Sequence, residues 1–230
     1  MSSSTTRLIA SVATVAALTT SAFVGAGPTA QAAPQAKKPH KSPATKVAYL
    51  TFDDGPTATY TPQVLSILRQ HRAKATFFMI GRQAAARPSI VRQVRAEGHA
   101  IGNHTWDHPS LPPLPAAKIA SQFSTTNAVL GRRATCMRPP GGATSPRVAA
   151  LAAKQGMNVM LWNVDTRDWS RPGPARITTA ATTPPVRGGA PIILFHDGGG
   201  DRSQTLAALP GVLDSLTRAG YRFETLPACR

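Results

Sequence analysis

Short apolar runs alternate with longer amphipathic segments from residue 46 to the end of the chain. Apolar runs of about four to eight residues between turn signals are typical of buried strands, and a period of about 3.6 residues is typical of helices. The pattern predicts strands at 47–51, 75–80, 99–103, 158–164, 191–195 and 221–225, and helices at 62–71, 89–97, 115–130, 145–156 and 204–219. This alternation predicts one α/β domain over 46–230 with a largely parallel sheet, open or closed into a barrel.

The sequence makes a specific prediction about helix geometry at each of two positions. Thr61 is expected to be an N-cap, since Pro62 suits the first position of the helix that follows. Pro210 is expected to kink or split the last long helix, because it cannot donate a backbone hydrogen bond.

The first 32 residues are expected to be a Sec-type signal peptide. Arg7 precedes an apolar run at 8–24, and a small-x-small sequence ends at Ala32, which predicts cleavage between Ala32 and Ala33. An uncleaved anchor is the alternative, although the run is short for a membrane span. The composition of residues 33–45, which is basic and rich in Pro and Lys, predicts a linker. The mature protein is therefore expected to be secreted, without stable membrane insertion, and monomeric.

The chain is strongly basic, with 26 Lys and Arg against 10 Asp and Glu and a formal net charge of +16. Such a charge favours polyanions, which outside a cell are anionic cell-wall polymers or acidic membranes. No stripe of basic residues interleaved with aromatics is present in the sequence, which argues against nucleic acid as a partner. The arginines are scattered, so a plain role in solubility stays open.

The chain has two cysteines, Cys136 and Cys229. An even number in an exported protein predicts a disulfide, and neither cysteine has the spacing of a metal ligand. We therefore expect a structural Cys136–Cys229 bridge that closes a long loop.

Two adjacent carboxylates, Asp53 and Asp54, directly follow the first predicted strand. Neighbouring carboxylates repel each other, so one needs a metal or another cation in order to stay ionised. The pair suggests a division of labour in which one aspartate holds a metal and the other handles protons. The sequence Asp-Asp-Gly-Pro is also typical of an ordinary turn, which is the alternative.

Further polar residues follow the other predicted strands. His104 and His108 have the spacing of a pair that can bind one ion, and with an aspartate they form an Asp-His-His set that leaves positions open for water. Arg138 lies in a Pro/Gly loop, where it either keeps the second aspartate ionised or is a solvated turn residue. His196 is a candidate general acid oriented by Asp165, and structural roles for both are the alternative.

These segments resemble the polysaccharide deacetylases of carbohydrate esterase family 4, the NodB-homology domain. Five motifs occur in the family's order, and the resemblance runs from residue 46 to about residue 226. The motifs are Thr51-Phe52-Asp53-Asp54-Gly55, His104-Thr105-x-x-His108, Arg138-Pro139-Pro140, Asp165-x-x-Asp168-Trp169 and Leu194-Phe195-His196.

The resemblance implies a distorted (β/α) barrel of a single domain and a divalent metal on Asp54, His104 and His108. Zinc is the expected metal, and cobalt and nickel suit the same ligands. The implied reaction is hydrolysis of N- or O-acetyl groups of a polysaccharide, with release of acetate.

The resemblance also assigns roles to the remaining residues. Asp53 would be the base that deprotonates the attacking water, and His196 the acid that protonates the leaving group. Arg138 would tune Asp53, and Asp165 would tune His196. The backbone N–H of Gly141 would help to hold the oxyanion.

The walls of the implied pocket include one departure from the family. Leu194 and Trp169 would line the space for the acetyl methyl group. The family usually has Tyr where this chain has Gly141, which removes one aromatic wall and leaves the backbone contact possible. Peptidoglycan, chitin oligomers and acetylated xylan all stay open as substrates. An acetylxylan esterase or a non-catalytic wall- or carbohydrate-binding module are the alternative functions.

Overall fold

The computed structural model describes residues 46–183, 185 and 189–230. The predicted signal peptide at 1–32 and the predicted linker at 33–45 lie outside the described residues, so both stay predictions. Among the helices of the described ranges, none has the length and apolar character that a membrane span requires.

A parallel sheet of eight strands forms the centre of the described domain. The strands are β1 (Lys46–Asp53), β2 (Ala75–Met79), β3 (Ala100–Asn103), β4 (Cys136–Met137), β5 (Asn158–Val159), β6 (Val164–Asp165), β7 (Ile192–His196) and β8 (Tyr221–Phe223). Their order is β5-β4-β3-β2-β1-β7-β6, and β8 pairs with the first residues of β1. Because all strands are parallel, their carboxyl ends meet at one end of the sheet.

Helices connect successive strands. The α-helices in the described ranges are α1 (Thr61–Gln70), α2 (Gly81–Ala86), α3 (Pro88–Ala96), α4 (Ala116–Val129), α5 (Pro146–Lys154), α6 (Pro174–Thr182) and α7 (Ser203–Arg218). The sheet and its helices form the distorted (β/α) barrel that the family resemblance implies. Within the described ranges, the two edge strands β5 and β6 do not pair with each other, so the barrel is open between them.

Aromatic packing along the central strands forms the middle of the core. Phe52 on β1 stacks on Phe77 of β2 and on Phe195 of β7, with ring centroids 5.2 and 5.5 Å apart. All five residues of β2 are buried, as expected for a strand covered on both faces. The core therefore fixes the relative positions of β2, β1 and β7, and the last two of these strands end in Asp53 and His196.

The strand predicted at 158–164 is wrong, because the segment forms two strands at opposite edges of the sheet. β5 pairs with β4, and β6 pairs with β7. The residues between them cross the open side of the barrel, where the carbonyl oxygens of Met160 and Leu161 accept hydrogen bonds from Arg138. Side-chain donors thus replace the sheet partners that these carbonyls would otherwise need.

The helix predictions are confirmed with small changes of boundary, and two helices were missed. α2 and α6 lie in segments for which the sequence predicted no element. Pro210 lies inside α7 without splitting it. The prediction of Ser145 as the start of a helix is confirmed, because its side chain accepts a hydrogen bond from the backbone N–H of Val148.

The prediction of Thr61 as an N-cap is wrong. The helix begins at Thr61 itself, and Tyr60 precedes it without a side-chain cap. The hydroxyl of Thr61 instead donates to Asp197 Oδ2 at 2.5 Å and accepts from the backbone N–H of Thr57 at 2.7 Å. Asp197 is fully buried, and burial, reinforced by the charges of Asp54 and Asp53, raises its pKa to about 7.

The predicted disulfide joins Cys136 to Cys229, which have Cα atoms 5.0 Å apart and a separation of 93 positions in sequence. It attaches the last turn of the described chain to the start of β4. The hydroxyl of Thr135 also donates to the carbonyl oxygen of Ala228 at 2.9 Å. The carboxyl-terminal segment is therefore held to the sheet by covalent and polar contacts.

Replacing both cysteines by alanine is expected to lower the free energy of unfolding by about 4–5 kcal/mol, because the open chain regains loop entropy. Urea unfolding monitored by circular dichroism measures the change. A reducing agent should destabilise the wild type to a similar extent and leave the double variant unaffected. Equal stability of the two proteins without reductant would contradict the prediction.

Candidate active site

Most of the predicted site residues surround one cavity at the carboxyl ends of the strands, with a volume of about 500 Å³. All of them line it except Arg138, which is buried behind it. Trp162, Gly199 and Arg202 also line the cavity. These three residues were not predicted because they lie outside the motifs: Trp162 lies within the strand predicted at 158–164, and Gly199 and Arg202 follow the strand predicted at 191–195.

Asp53 and Arg138 form a buried ion pair. Arg138 Nη1 donates to Asp53 Oδ1 at 2.9 Å and to the hydroxyl of Thr51 at 2.8 Å. The guanidinium lies over the ring of Phe78, 4.2 Å from its centroid. Arg138 is completely buried, so the pair is shielded from solvent and the guanidinium stabilises the ionised carboxylate. The solvated-turn alternative for Arg138 is thereby excluded.

Asp54 faces two imidazoles rather than a guanidinium. Its Oδ1 lies 3.3 Å from His104 Nε2 and 3.2 Å from His108 Nε2. Burial raises the pKa of Asp54, but the neighbouring imidazoles outweigh burial and hold it well below its ordinary value. Asp54 is therefore ionised at neutral pH.

The hydrogen bonding of His104 defines which of its nitrogens is free. His104 Nδ1 lies 2.8 Å from the carbonyl oxygen of Arg138. A carbonyl can only accept, so Nδ1 carries the hydrogen, and Nε2 is the nitrogen that faces Asp54. Asp54 Oδ1 is buried and, in the described part of the chain, has no hydrogen-bond partner.

These donor atoms fit a divalent metal ion. One donor atom each from Asp54, His104 and His108 lies within 4.8 Å of the other two. A cation between these side chains would bind the Nε2 lone pairs of neutral imidazoles and balance the charge of the buried carboxylate oxygen, which has no hydrogen-bond partner among the described residues. One oxygen and two imidazole nitrogens form a donor set of the zinc class.

The backbone around the donor atoms is tightly constrained. Asp54 and His108 have positive φ angles, 73° and 65°, which are uncommon for residues other than glycine. The loop after β7 packs directly against Asp54, because a Cβ at Gly198 would collide with its carbonyl oxygen and one at Gly199 with its carboxylate. Two glycines thus allow the close approach that holds Asp54 in position.

The prediction that Asp165 orients His196 is wrong, because Asp168 occupies that position. Asp168 Oδ1 lies 2.7 Å from His196 Nδ1, and Oδ2 accepts from the backbone N–H of His196 and the hydroxyl of Thr205, both at 2.8 Å. Asp165 is exposed, lines the cavity and accepts from the backbone N–H of Arg167. Arg167 has a left-handed backbone with φ of 52°, which turns the chain so that Asp168 faces inward.

The environment of His196 favours its protonated form. Burial lowers the pKa of the imidazole, but the hydrogen bond and charge of Asp168, with further contributions from Asp53 and Asp54, outweigh burial and raise it. Because Asp168 fixes the hydrogen on Nδ1, the Nε2 atom is the one available for proton transfer.

The cavity walls consist of an apolar side chain, an aromatic side chain and the backbone of a glycine. Leu194 is buried, whereas 51% of Trp169 is exposed. Gly141 has a left-handed backbone with φ of 58°, and a Cβ built on it would meet no atom within 4 Å. Its backbone N–H donates to no group in the residues that the structure describes, so it is available to a ligand. Trp162 lies against Gly142, the next residue.

Comparisons with known proteins agree with this geometry. The family model described as polysaccharide deacetylase matches residues 40–160. A peptidoglycan-N-acetylglucosamine deacetylase from Bacillus cereus is 42% identical over 191 residues, which cover 79% of this chain and 86% of that protein. A chitooligosaccharide deacetylase from Bradyrhizobium is 40% identical over 201 residues, which cover 80% of this chain and 90% of that protein.

Solved structures show the same relationship. A family 4 carbohydrate esterase from Streptomyces lividans in complex with acetate matches with a TM-score of 0.73 and 33% identity, covering 80% of this chain and 94% of that one. The chain therefore belongs to the polysaccharide deacetylases of carbohydrate esterase family 4. It is a deacetylase, a hydrolase that acts on acetyl groups.

Replacing Asp168 by Asn is expected to lower the pKa of His196, because a neutral amide does not stabilise the imidazolium. A group that must be protonated loses its proton at lower pH when its pKa falls, so the alkaline limb of kcat/KM should move to lower pH. NMR titration of the His196 ring measures the pKa directly. Asp165→Asn is the matched control and should leave both quantities unchanged; the reverse result would restore Asp165 as the positioning residue.

Proposed function

We propose that the protein is an exported, divalent-metal-dependent deacetylase that removes the acetyl group from N-acetylglucosamine units of a glycan and releases acetate. The observation that carries this proposal is the cluster of Asp54, His104 and His108 beside the Asp53–Arg138 pair. The cluster supplies three metal ligands, and the pair supplies a carboxylate that is not one of them. The export part rests on the predicted leader alone.

The proposed substrate class follows from what the relatives share. The similar Bacillus cereus protein is named for the N-acetylglucosamine of peptidoglycan, and the Bradyrhizobium protein for chitooligosaccharides. The glycans in both names contain N-acetylglucosamine units, so both present an acetyl group that is linked through an amide. The exposed ring of Trp169 offers a surface on which a sugar can stack.

We propose zinc as the metal, with cobalt or nickel as alternatives of the same ligand preference. When bound, such an ion acts as a Lewis acid that polarises the acetyl carbonyl and makes a water molecule more acidic. Asp54, His104 and His108 would hold it. The hydrogen bond from His104 Nδ1 to the carbonyl of Arg138 fixes the ring orientation for this role.

The chain's own residues account for the proton transfers. Asp53 would accept a proton from the attacking water, while Arg138 holds its other oxygen in place. The oxygen of the water then forms a bond to the acetyl carbon, and the backbone N–H of Gly141 donates to the developing oxyanion. His196 would donate its Nε2 proton to the sugar nitrogen as the carbon–nitrogen bond breaks. The products are acetate and the free amine.

A non-catalytic binding module would be expected to lack one of these groups, but all of them are present in one cavity. This arrangement supports turnover rather than binding alone. An acetylxylan esterase would use the same groups on an ester, so it stays the alternative within the enzyme class.

Asp54→Ala is expected to lose the metal, whereas Asp53→Asn should keep it and lose about 10²- to 10⁴-fold in kcat, as for a general base. Metal content after dialysis and the rate of acetate release measure the two effects. Asp214→Asn, at an exposed carboxylate on α7, is the matched control and should change neither. Loss of metal from Asp53→Asn in a folded protein, or its full activity, would overturn the division of roles.

Acetate release is expected to be faster from chitooligosaccharides and peptidoglycan than from acetylxylan, because the two similar deacetylases are named for glycans that contain N-acetylglucosamine. The panel uses protein recovered from the culture medium, whose N-terminal sequence should begin at Ala33. Asp53→Asn is the blank for background hydrolysis. Release from acetylxylan alone would favour the esterase, and no release with zinc or cobalt supplied would rule out the enzyme.

A further inference from the structure

A second cavity of about 360 Å³ lies at the end of the barrel opposite the active site. Ala100 and Ile101, at the amino end of β3, line it, whereas His104 follows the carboxyl end of the same strand. Thr135, directly before β4, lines it as well. Because the sheet is parallel, the two cavities open at opposite ends of the strands, and a ligand in one leaves the other free.

Four arginines line this second cavity, which we call the basic cleft: Arg95, Arg132, Arg133 and Arg230. Of the described residues that line it, none is an aspartate or a glutamate. The active-site cavity, by contrast, is lined by three aspartates. The basic cleft therefore concentrates positive charge within one concave surface, which the scattered arginines of the sequence did not suggest.

Two of these arginines are fixed in place by neutral groups. Arg95 Nε and Nη2 both donate to the carbonyl oxygen of Leu130, at 3.3 and 2.9 Å, beyond the end of α4. Arg133 Nε and Nη2 both donate to the carbonyl oxygen of Gln155, at 2.9 and 2.5 Å, beyond the end of α5. A helix end contributes about half a negative charge, so each guanidinium keeps much of its own. Each also keeps N–H groups that are not used in these bonds.

The remaining charges are only weakly compensated. Arg132 is exposed, and its side chain makes no hydrogen bond or ion pair with the residues that the structure describes, although its backbone carbonyl accepts a hydrogen bond from Arg95 Nη2 at 3.5 Å. Burial and then the charge of Arg132 lower the pKa of Arg95, which shows that the two guanidinium groups repel each other. Arg230 pairs with Glu224 at 2.8 Å, but Glu224 also pairs with Arg222. The basic cleft therefore holds positive charges close together, and a bound anion would reduce their repulsion.

We propose that the basic cleft binds the phosphate groups of a linear phosphodiester polymer of the cell-wall type. Guanidinium groups match phosphate oxygens through paired hydrogen bonds, and their fork geometry distinguishes phosphate from a neutral sugar. Several arginines around one groove suit successive phosphates on a chain better than a single small anion. Binding there would hold the enzyme on an anionic wall while the catalytic cavity at the other end stays open to the glycan.

Isothermal titration with a soluble glycerol phosphate oligomer tests the proposal. Arg132→Gln/Arg133→Gln should weaken binding by about tenfold or more, the loss expected for charge-assisted hydrogen bonds. The matched control, Arg92→Gln/Arg218→Gln, removes the same formal charge from exposed positions outside the basic cleft. It should change the Kd by less than about twofold at physiological salt, where distant charges are screened. Arg132→Glu is a second variant, since Arg132 holds no described contact whose loss could unfold the protein.

Several outcomes would overturn the proposal: no binding by the wild type, equal weakening in the cleft and control variants, or binding only to phosphatidylglycerol vesicles. Inorganic phosphate should compete with the oligomer at millimolar concentration, and a neutral chitooligosaccharide should not. Hydrolysis of that oligosaccharide should be unchanged in the cleft variants, which shows that they are folded. Because binding is measured without turnover, failure of this proposal is distinguishable from failure of the proposed deacetylase function.

Discussion

The site depends on the hydrogen bonds that the buried guanidinium of Arg138 donates. Its N–H groups donate to Asp53 and Thr51 at the end of β1 and to two carbonyls of the segment that crosses the open side of the barrel. The backbone carbonyl of Arg138 accepts a hydrogen bond from His104, which follows β3. One residue therefore positions a carboxylate, an imidazole and the barrel's open edge. Removing one partner of a buried ion pair typically costs about 3–5 kcal/mol, so the two side chains depend on each other.

This constraint also separates two carboxylates that are adjacent in sequence. Asp53 ends β1 in regular strand geometry and faces Arg138, whereas Asp54 has a left-handed backbone and faces the imidazoles. The reversal of φ between neighbours directs their side chains to different partners. Close packing of Gly198 and Gly199 against Asp54 then stabilises a conformation that an aspartate would otherwise rarely adopt. The division of labour is therefore built into the backbone as well as the side chains.

The sequence predicts the fold and the cluster of Asp54, His104 and His108 well because both depend on residue type and order. Apolar runs mark the buried strands, and Asp54, His104 and His108 have few equivalents in a chain with 10 acidic residues and 6 histidines. The failures depend on backbone conformation. Nothing in the apolar run at 158–164 shows that its carbonyls bind Arg138. The choice of Asp168 over Asp165 depends on a left-handed residue between them, and Arg167 is not a residue type that predicts one.

Although the protein is basic, most of its acidic residues lie at the end of the sheet that carries the active site. Seven of the ten acidic residues lie at the carboxyl ends of β1 and β6 or in the loops that follow β1, β3, β6 and β7, whereas Glu97, Asp214 and Glu224 lie elsewhere. At that end Asp53 faces a guanidinium, Asp54 faces two imidazoles, and Asp197, whose pKa is raised to about 7, accepts a hydrogen bond from a hydroxyl group. The excess of arginine elsewhere is then free to act at long range, because it is not needed to neutralise the site. Local chemistry and long-range attraction can thus be set by different residues of one small domain.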